Sequence, residues 1–203
     1  MKKVLVNILC AFIPSKFLRN RLRLFMSNNQ VFIIDNDGKE RKLRLFEFKK
    51  LKIGFKGKWS SNNIIKIHKS SKIKGEICLI GCNNKITISD GVSFNGVNIY
   101  ALGNSELVIG KDCMFSWNVS ILTNDGHKMF DKETEKPLSI KSKLVIGNHC
   151  WVGCDSTITK NGSIPDNTIV GTKSVVSKKF EKEYTAIAGN PAKVIKEDIR
   201  WER

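Results

Sequence analysis

The sequence predicts an all-β solenoid of short strands, because one stretch has a strict six-residue period and glycines at matching positions. The aliphatic residues of this period are Ile146, Val152, Ile158, Ile164, Val170 and Val176. Gly147, Gly153 and Gly171 directly follow three of them. Side chains alternate with period two in a strand and recur about every 3.6 residues in a helix, so neither element explains the pattern. Hexapeptide repeats are typical of a parallel β-helix, in which short strands meet at tight corners.

The same register can be followed towards the N-terminus if each coil carries a small insertion. The earlier triplets are Ile67, Ile73 and Leu79; Ile88, Phe94 and Tyr100; and Ile109, Phe115 and Ile121. Each triplet is expected to form one three-sided coil. With about five coils spaced by about 4.8 Å, the prism would be roughly 24 Å tall. The sequence therefore predicts a β-helix domain over residues 61–179, between an N-terminal region, 1–60, and a C-terminal tail, 180–203.

The register is interrupted between Ile121 and Ile146, which predicts an inserted loop at about residues 123–143. Long loops on a rigid scaffold are places where binding and chemistry are often located. The loop contains His127, whereas His68 and His149 fall on coil positions and are expected to be structural.

The two flanking regions predict different elements. In residues 1–25, Leu5, Ile8, Leu9, Phe12 and Ile13 line one face of an amphipathic helix. Alternating segments from Val31 to Trp59, with a turn at 35–38, predict a hairpin region that caps the β-helix. A turn at 189–191 and a short helix over 192–201 are expected at the C-terminus.

The positive charge is concentrated near the N-terminus. Of the net charge of +16, residues 1–60 carry +11, from 15 Lys and Arg against 4 Asp and Glu. The helix at 1–25 fits either an anionic membrane surface or packing against its own protein. Its apolar run is short of the roughly 20 residues that a spanning helix needs. No nucleic-acid-binding motif accompanies the charge, so nucleic acid is not an expected partner.

The six cysteines are expected to be free thiols. Cys113 and Cys150 each lie four residues after a repeat aliphatic, where Ser156, Thr168 and Ser174 also fall. This position accepts small residues, and a buried cysteine fills it as a small hydrophobe. A chain with no disulfide framework fits a reduced, cytoplasmic location.

Four stretches carry a resemblance to a known family: TNDGHKMFD at 123–131, IGNHCWVG at 146–153, GTKSVVSK at 171–178 and AGNPAKVIK at 188–196. With the repeats, they resemble the left-handed β-helix acyltransferases of the hexapeptide-repeat superfamily. Within it, they are similar to the bacterial O-acetyltransferases that modify capsule, lipopolysaccharide or related surface sugars. The resemblance implies a left-handed β-helix, acetyl-CoA as co-substrate, and a homotrimer with active sites between subunits.

The resemblance implies that His127 is the catalytic base. A sugar hydroxyl is a weak acid and needs a base such as imidazole, with an ordinary pKa of about 6.5, as its oxygen attacks the thioester. Asp125 would orient the imidazole or hold an acceptor hydroxyl, or it simply forms a turn. Asn118 and Asn124 are candidate acceptor-binding residues. A nucleophilic Cys154 remains an alternative.

The resemblance also places coenzyme A along the C-terminal coils. The implied cofactor-binding residues are Trp151, Gly153, Cys154, Thr172, Ser177, Lys178, Lys193 and Lys196. The lysines would lie near the nucleotide phosphates, which favour cations.

Three rival functions remain open at this stage. N-acetylation of an amino-sugar nucleotide uses the same fold and donor. A zinc carbonic anhydrase on a β-helix needs three clustered histidines, whereas this chain has three scattered ones, so no metal site is expected. An inactive scaffold is the last alternative. The favoured location is the cytoplasm, with peripheral contact to the inner face of the cytoplasmic membrane.

Overall fold

The computed structural model describes residues 28–42, 51–56, 60–138 and 142–203. These residues form a three-sided prism of stacked parallel strands, so the predicted all-β solenoid is confirmed. The predicted N-terminal helix and the hairpin residues 43–50 and 57–59 lie outside the described residues. No helix in the described part of the chain is long and apolar enough to cross a membrane.

Three sheets form the sides of the prism. The first side contains β1 (Gln30–Ile34), β4 (Ile64–His68), β6 (Lys85–Ile88), β9 (Ser105–Ile109) and β12 (Ser142–Ile146), with β2 (Glu40–Lys42) beside β1. The second side contains β7 (Ser93–Phe94), β10 (Met114–Phe115), β13 (Trp151–Val152), β15 (Ile169–Val170), β17 (Ala186–Gly189) and β18 (Ala192–Lys196). The third side contains β3 (Leu51–Lys56), β5 (Gly75–Ile80), β8 (Val97–Leu102), β11 (Val119–Leu122), β14 (Thr157–Ile158) and β16 (Val175–Val176).

The corners are named after the side that they follow along the chain: the first corner follows the first side, and so on. Parallel pairing begins with β1 on β4 and continues to β15 on β17. The stacked strands therefore extend beyond residues 61–179 in both directions. Among the strands of the described residues, only β2 and β18 pair antiparallel, each at one end of its sheet.

The core consists of inward side chains that stack in register from coil to coil. On the second side, Phe115 pairs with Phe94 on one neighbour and with Val152 on the other. The two phenylalanine rings meet edge to face with centroids 4.8 Å apart. On the first side, Ile109 pairs with Ile88 and Ile146. All six residues are at most 2% exposed. The six-residue period therefore marks an inward-facing position on each side of the prism.

Tyr100 is an exception, and its predicted inward position is wrong. Ile99 is the residue that pairs with Ile121 and is fully buried, whereas Tyr100 is only half-buried. The reason lies in the second corner. Two residues separate Phe94 from Val97 in this coil, whereas three separate the paired residues Phe115 and Val119 in the next. The shorter corner shifts the alternation of the strand by one residue.

The small-residue position inside the prism is confirmed. Cys113, Cys150, Ser156, Thr168 and Ser174 are all fully buried. The Cys113 thiol donates to the Gly147 carbonyl at 3.0 Å and the Cys150 thiol to the Pro165 carbonyl at 3.1 Å. Both thiols therefore hydrogen-bond the backbone of the adjacent coil, and both are free cysteines.

A buried ladder of polar side chains runs inside the third corner. Its members are Asn29, Asn63, Asn84, Ser105 and Thr123, all at most 5% exposed. Asn63 Nδ2 donates to Asn29 Oδ1 at 2.9 Å, and Asn84 Nδ2 donates to Asn63 Oδ1 at 2.9 Å. The Ser105 hydroxyl donates to Asn84 Oδ1 at 2.8 Å, and Thr123 Oγ1 donates to Ser105 Oγ at 2.7 Å. The ladder links five successive coils by hydrogen bonds inside the prism.

The predicted C-terminal helix is wrong, because Ala192–Lys196 form strand β18. The chain reverses at Gly189, with φ +103°, and β18 returns antiparallel along β17. The last parallel strand has an unpaired edge, and pairing with β18 satisfies it. Val194 and Ile195 are β-branched and favour a strand over a helix.

Replacing Asn84 by alanine should weaken the folded state. The change removes a buried amide and leaves Asn63 Oδ1 and the Ser105 hydroxyl short of a partner, which costs about 1–3 kcal/mol. The free energy of unfolding from urea titration measures this loss. The exposed Asn95→Ala is the matched control and should stay within about 0.5 kcal/mol. Equal stability of both variants would contradict the role of the ladder.

Thiol labelling should distinguish two kinds of cysteine. The hydrogen bond to Cys150, together with burial, raises the pKa of the Cys113 thiol, whereas Cys154 is partly exposed at a corner. Because the thiolate is the reactive form, Cys154 should be alkylated at least about tenfold faster than Cys113. Timed iodoacetamide labelling and peptide mass spectrometry measure both rates, with denatured protein as the control. Equal rates in the native protein would show that the small-residue position is open to solvent.

Candidate active site

The inserted loop leaves the prism at the third corner, directly after β11. Thr123, the last member of the buried ladder, holds this exit: its hydroxyl accepts from Leu102 N at 3.1 Å. Four residues later His127 is exposed at one side of a cleft. The cleft is lined by Ile80, Gly81, Leu102, Gly103, Asn104, Asn124, Gly126, His127, Lys128, Met129, Leu138 and Lys160. The candidate base therefore lies beside a depression that crosses several coils.

The loop folds on itself as a small hairpin. Leu138 N donates to Met129 O at 2.8 Å, next to an antiparallel bridge between Phe130 and Pro137. At its tip Asp131 Oδ1 accepts from the backbone and the hydroxyl of Thr134, both at 2.8 Å. The Thr134 backbone hydrogen bond, followed by that of the hydroxyl, lowers the pKa of Asp131. Met129, Phe130 and Leu138 remain 46–55% exposed, so the hairpin presents an apolar surface.

Asp125 contacts a lysine that the sequence analysis did not identify. Lys160, one coil further along the same corner, places Nζ 2.9 Å from Asp125 Oδ2, and its side chain is only 14% exposed. Asn124 Oδ1 accepts from Asp125 N at 2.8 Å and forms the turn. Among the described residues, the His127 imidazole has no hydrogen-bond partner within the protomer. Asp125 therefore anchors the loop to the prism through Lys160 and does not touch the imidazole.

Asn118 lies at the second corner, at the opposite end of β11 from His127. Its Nδ2 donates to Asp155 Oδ1 at 2.7 Å, and both residues have the left-handed backbone that asparagine and aspartate tolerate, with φ of 56° and 58°. The four residues of β11 extend over roughly 13 Å. Within one protomer, Asn118 and His127 are therefore held at different corners.

The predicted donor residues between Trp151 and Lys178 divide between the second side with its corner and the third corner. Trp151 lies on β13 and is 37% exposed, and Cys154 Sγ is 3.7 Å from Thr172 Oγ1 at the second corner. Gly153 is buried: a Cβ there would lie 2.7 Å from Thr172 N, so the close contact between coils requires glycine. Ser177 and Lys178 are exposed at the third corner, and Lys178 Nζ lies 5.3 Å from the centre of the Phe180 ring.

The remaining candidates, Lys193 and Lys196, lie exposed on β18 at the end of the second side. Their sheet also carries Trp151. The predicted donor residues thus cover the later coils, mostly on the second side, whereas His127 lies at the third corner.

The C-terminal tail adds a residue that the sequence analysis did not single out. Trp201 is 7% exposed and stacks on His149, with ring centroids 4.3 Å apart. Its Nε1 donates to His149 O at 2.9 Å, and His149 Nδ1 lies 2.8 Å from Asp112 Oδ2. Trp201 also lies 6.1 Å from Trp151, centroid to centroid. The only sequence signal was a tryptophan in a strongly polar tail.

Histidine, cysteine and carboxylate groups do not cluster as metal ligands in the part of the chain that the structure describes. His68 bonds Ser70 Oγ at 2.9 Å and His149 bonds Asp112, both at the first corner, away from His127. The three histidines therefore do not share a site.

Comparison with known proteins identifies several acetyltransferases as relatives. The chain is 32% identical over 139 residues to a polysialic acid O-acetyltransferase of Escherichia coli O1:K1, which covers 68% of this chain and 45% of the relative. It is 30% identical over 129 residues to a polysialic acid O-acetyltransferase of Neisseria meningitidis, covering 64% of this chain and 60% of the relative. The chain thus spans about half the length of these two relatives. A probable macrolide acetyltransferase of Lysinibacillus sphaericus is 31% identical over 121 residues, or 51% of this chain and 67% of the relative.

Solved structures agree with the sequence relatives. The polySia specific acetyltransferase NeuO superposes with a TM-score of 0.64 at 26% identity, covering 87% of this chain and 79% of that one. The polysialic acid O-acetyltransferase OatWY superposes with a TM-score of 0.58 at 27% identity, covering 87% and 88%. No protein-family model matches the chain. On these similarities, the chain belongs to the left-handed β-helix acyltransferases of the hexapeptide-repeat superfamily, in the group that contains bacterial surface-polysaccharide O-acetyltransferases.

Proposed function

We propose that this protein transfers an acetyl group from acetyl-CoA to a sugar hydroxyl of a bacterial surface polysaccharide or its precursor, with His127 as the general base. The observation that carries the proposal is the position of His127, on the loop inserted after β11 and at the edge of a cleft. Relatives named as O-acetyltransferases of polysialic acid support a hydroxyl acceptor over the amine of an amino-sugar nucleotide.

The chemistry requires one base and no covalent enzyme intermediate. The imidazole of His127 removes the proton of the sugar hydroxyl while the hydroxyl oxygen attacks the thioester carbonyl. The C–S bond then breaks, the acetyl group stays on the sugar oxygen, and the imidazolium returns its proton to the leaving thiolate. The exposed His127 ring, with no partner among the described residues, is available for this contact. Asp125 supports the base by fixing the loop to Lys160.

The donor is proposed to bind along the later coils. Trp151, Cys154 and Thr172 would contact the pantetheine arm, and Gly153 would contribute backbone only. Lys193 and Lys196 on β18 would bind phosphate groups, and Ser177 and Lys178 would extend this surface at the third corner. Asn118 and Asn124 are proposed to bind the acceptor, Asn118 from the second corner.

We also propose a homotrimer with active sites between subunits, which the division of the predicted site residues between corners supports. His127 lies at the third corner, whereas Trp151, Cys154 and Thr172 lie on the second side or second corner of the same protomer. A neighbouring copy that brings its second corner to the third corner of the first would complete the site, and threefold closure repeats the contact.

Contact with the inner face of the cytoplasmic membrane is also proposed. Residues 1–25 contain six Lys and Arg and no Asp or Glu, with apolar residues at helical spacing. Such a segment is attracted to anionic lipid. A cytoplasmic enzyme held there would meet lipid-linked sugars as they are assembled.

His127→Ala should lower the rate of acetyl transfer by about 10²–10⁴-fold, because the hydroxyl loses its base. Release of free thiol in the presence of a sugar acceptor measures the rate. Binding of acetyl-CoA, followed by calorimetry, should persist. His68→Ala, at the first corner, is the control and should keep most of the activity. A parental rate in His127→Ala would refute the assignment.

Two inactive variants should restore activity when they assemble together. Thr172→Trp fills the exposed second corner, and His127→Ala removes the base, so each variant alone should be inactive. In randomly mixed trimers with sites between subunits, about a quarter of the sites are intact. Activity of co-expressed, doubly tagged protein measures this, with light scattering to establish the trimer. An inactive mixture would place the whole site within one protomer.

Vesicle binding should depend on residues 1–25. The full chain should co-sediment with vesicles that contain anionic lipid, and binding should fall as salt is raised, because screening weakens the attraction. Neutral phosphatidylcholine vesicles and a chain without residues 1–25 are the controls. Equal binding by all combinations would exclude the proposed membrane contact.

A further inference from the structure

The cleft beside His127 is longer than a single acceptor hydroxyl requires. Its residues at the third corner come from four successive coils: Gly81 after β5, Gly103 after β8, Asn124 after β11 and Lys160 after β14. Three steps of about 4.8 Å give a length of roughly 14 Å. A single sugar ring is much shorter than this. His127 lies towards the later coils, so most of the cleft extends from it towards the N-terminal end of the prism.

The floor of this N-terminal part is backbone. Gly81 and Gly103 stack at the third corner with φ of +78° and +24°, and a Cβ at Gly81 would lie 3.6 Å from Gly103 Cα. A Cβ at Gly103 would meet no atom within 4 Å, and a Cβ at Gly81 would rest on the Gly103 backbone, so a side chain at either position would narrow the corner. The two glycines therefore keep a shallow track clear along the corner, and a ligand lying in it can approach the main chain closely.

The walls of the track combine apolar and amide groups. Ile80 and Leu102 are half-buried beside it, and Met129 and Leu138 of the loop are 46% and 47% exposed on its other side. Asn104 is exposed at its edge, and Asn83 Nδ2 donates to Asn104 Oδ1 at 3.0 Å. This bond fixes the Asn104 amide, whose two N–H groups have no partner among the described residues. Aliphatic side chains and fixed amide donors suit the C–H faces and hydroxyls of sugars.

The direction of the track separates it from the donor. The residues proposed to bind acetyl-CoA, from Trp151 to Lys196, lie on the later coils. Ile80, Leu102 and Asn104 lie on earlier coils, on the other side of His127 along the prism axis. A donor that reaches His127 from the later coils leaves the earlier coils for the acceptor.

We propose that this track, formed by Ile80, Gly81, Leu102, Gly103 and Asn104, binds two or more linked sugar units of the acceptor while the reacting unit lies at His127. The inference rests on the proposed acetyl transfer and makes it more specific. The acceptor is an oligosaccharide or polymer and not a nucleotide-linked monosaccharide. Asn104 is a specificity-determining residue, because it binds a sugar unit that does not react.

The test uses the surface polysaccharide of the source bacterium, de-O-acetylated and separated into fragments of one to six units. The full-length protein should show a kcat/KM that rises with fragment length and levels off after a few units. Asn104→Gly tolerates the left-handed backbone at φ 58° while removing the amide. It should reduce the advantage of long over short fragments by about fivefold to tenfold, the effect of one lost hydrogen bond. Asn167→Gly, at φ 57° on the first corner, is the matched control and should keep the full advantage.

Direct titration separates failure of the track from failure of the proposed function. Fragments are titrated into His127→Ala and into His127→Ala with Asn104→Gly, so binding is measured without turnover. Tighter binding of longer fragments that depends on Asn104 supports the track. Equal kcat/KM and equal affinity for one unit and six units overturn it while leaving acetyl transfer intact. Length-dependent binding with no acetyl transfer to any fragment by the parent would instead overturn the proposed function.

Discussion

The buried ladder from Asn29 to Thr123 is the interaction on which the geometry of the site depends. The stacked strands of neighbouring coils are not covalently cross-linked here, and apolar stacking alone is tolerant of small slips. Each amide of the ladder bonds the next coil within the interior, where an unmade hydrogen bond is costly, so the third corner is fixed in register. The ladder ends at Thr123, where the loop leaves the prism. The loop that carries His127 thus starts from a corner that is fixed by buried hydrogen bonds.

The position of His127 depends on a further attachment of the loop, because a long loop held only at its ends would leave the imidazole poorly placed. The Asp125–Lys160 ion pair connects the loop to the next coil, and Lys160 is mostly shielded from solvent. A surface ion pair contributes little stability, but a shielded one beside a fixed corner is better suited to holding geometry. In this arrangement the Asp125 carboxylate, one candidate for orienting the imidazole, holds the loop to the prism through Lys160 instead.

Much of the fold could be predicted because the period of a β-helix is visible in its sequence. Ile109, Phe115 and Ile121 recur every six residues because each side of a coil has an inward apolar residue at the same position. Tyr100 was misassigned because corner length varies by one residue, and a corner has no hydrophobic signal. The terminal strand at Ala192–Lys196 was missed because an unpaired sheet edge, a tertiary feature, decides it. Similarity to the family singled out His127, yet Lys160 and Asn104 could not be found, because their roles arise only from stacking of distant coils at one corner.

The central claim is that His127 catalyses acetylation of a surface polysaccharide. The most direct measurement is NMR and mass analysis of the polysaccharide from three strains: one with the parental gene, one without it, and one expressing His127→Ala at the same level. The account predicts O-acetyl groups on the polymer in the parental strain and their loss in both others. O-acetyl groups at parental level in the His127→Ala strain, or in the strain without the gene, would contradict it.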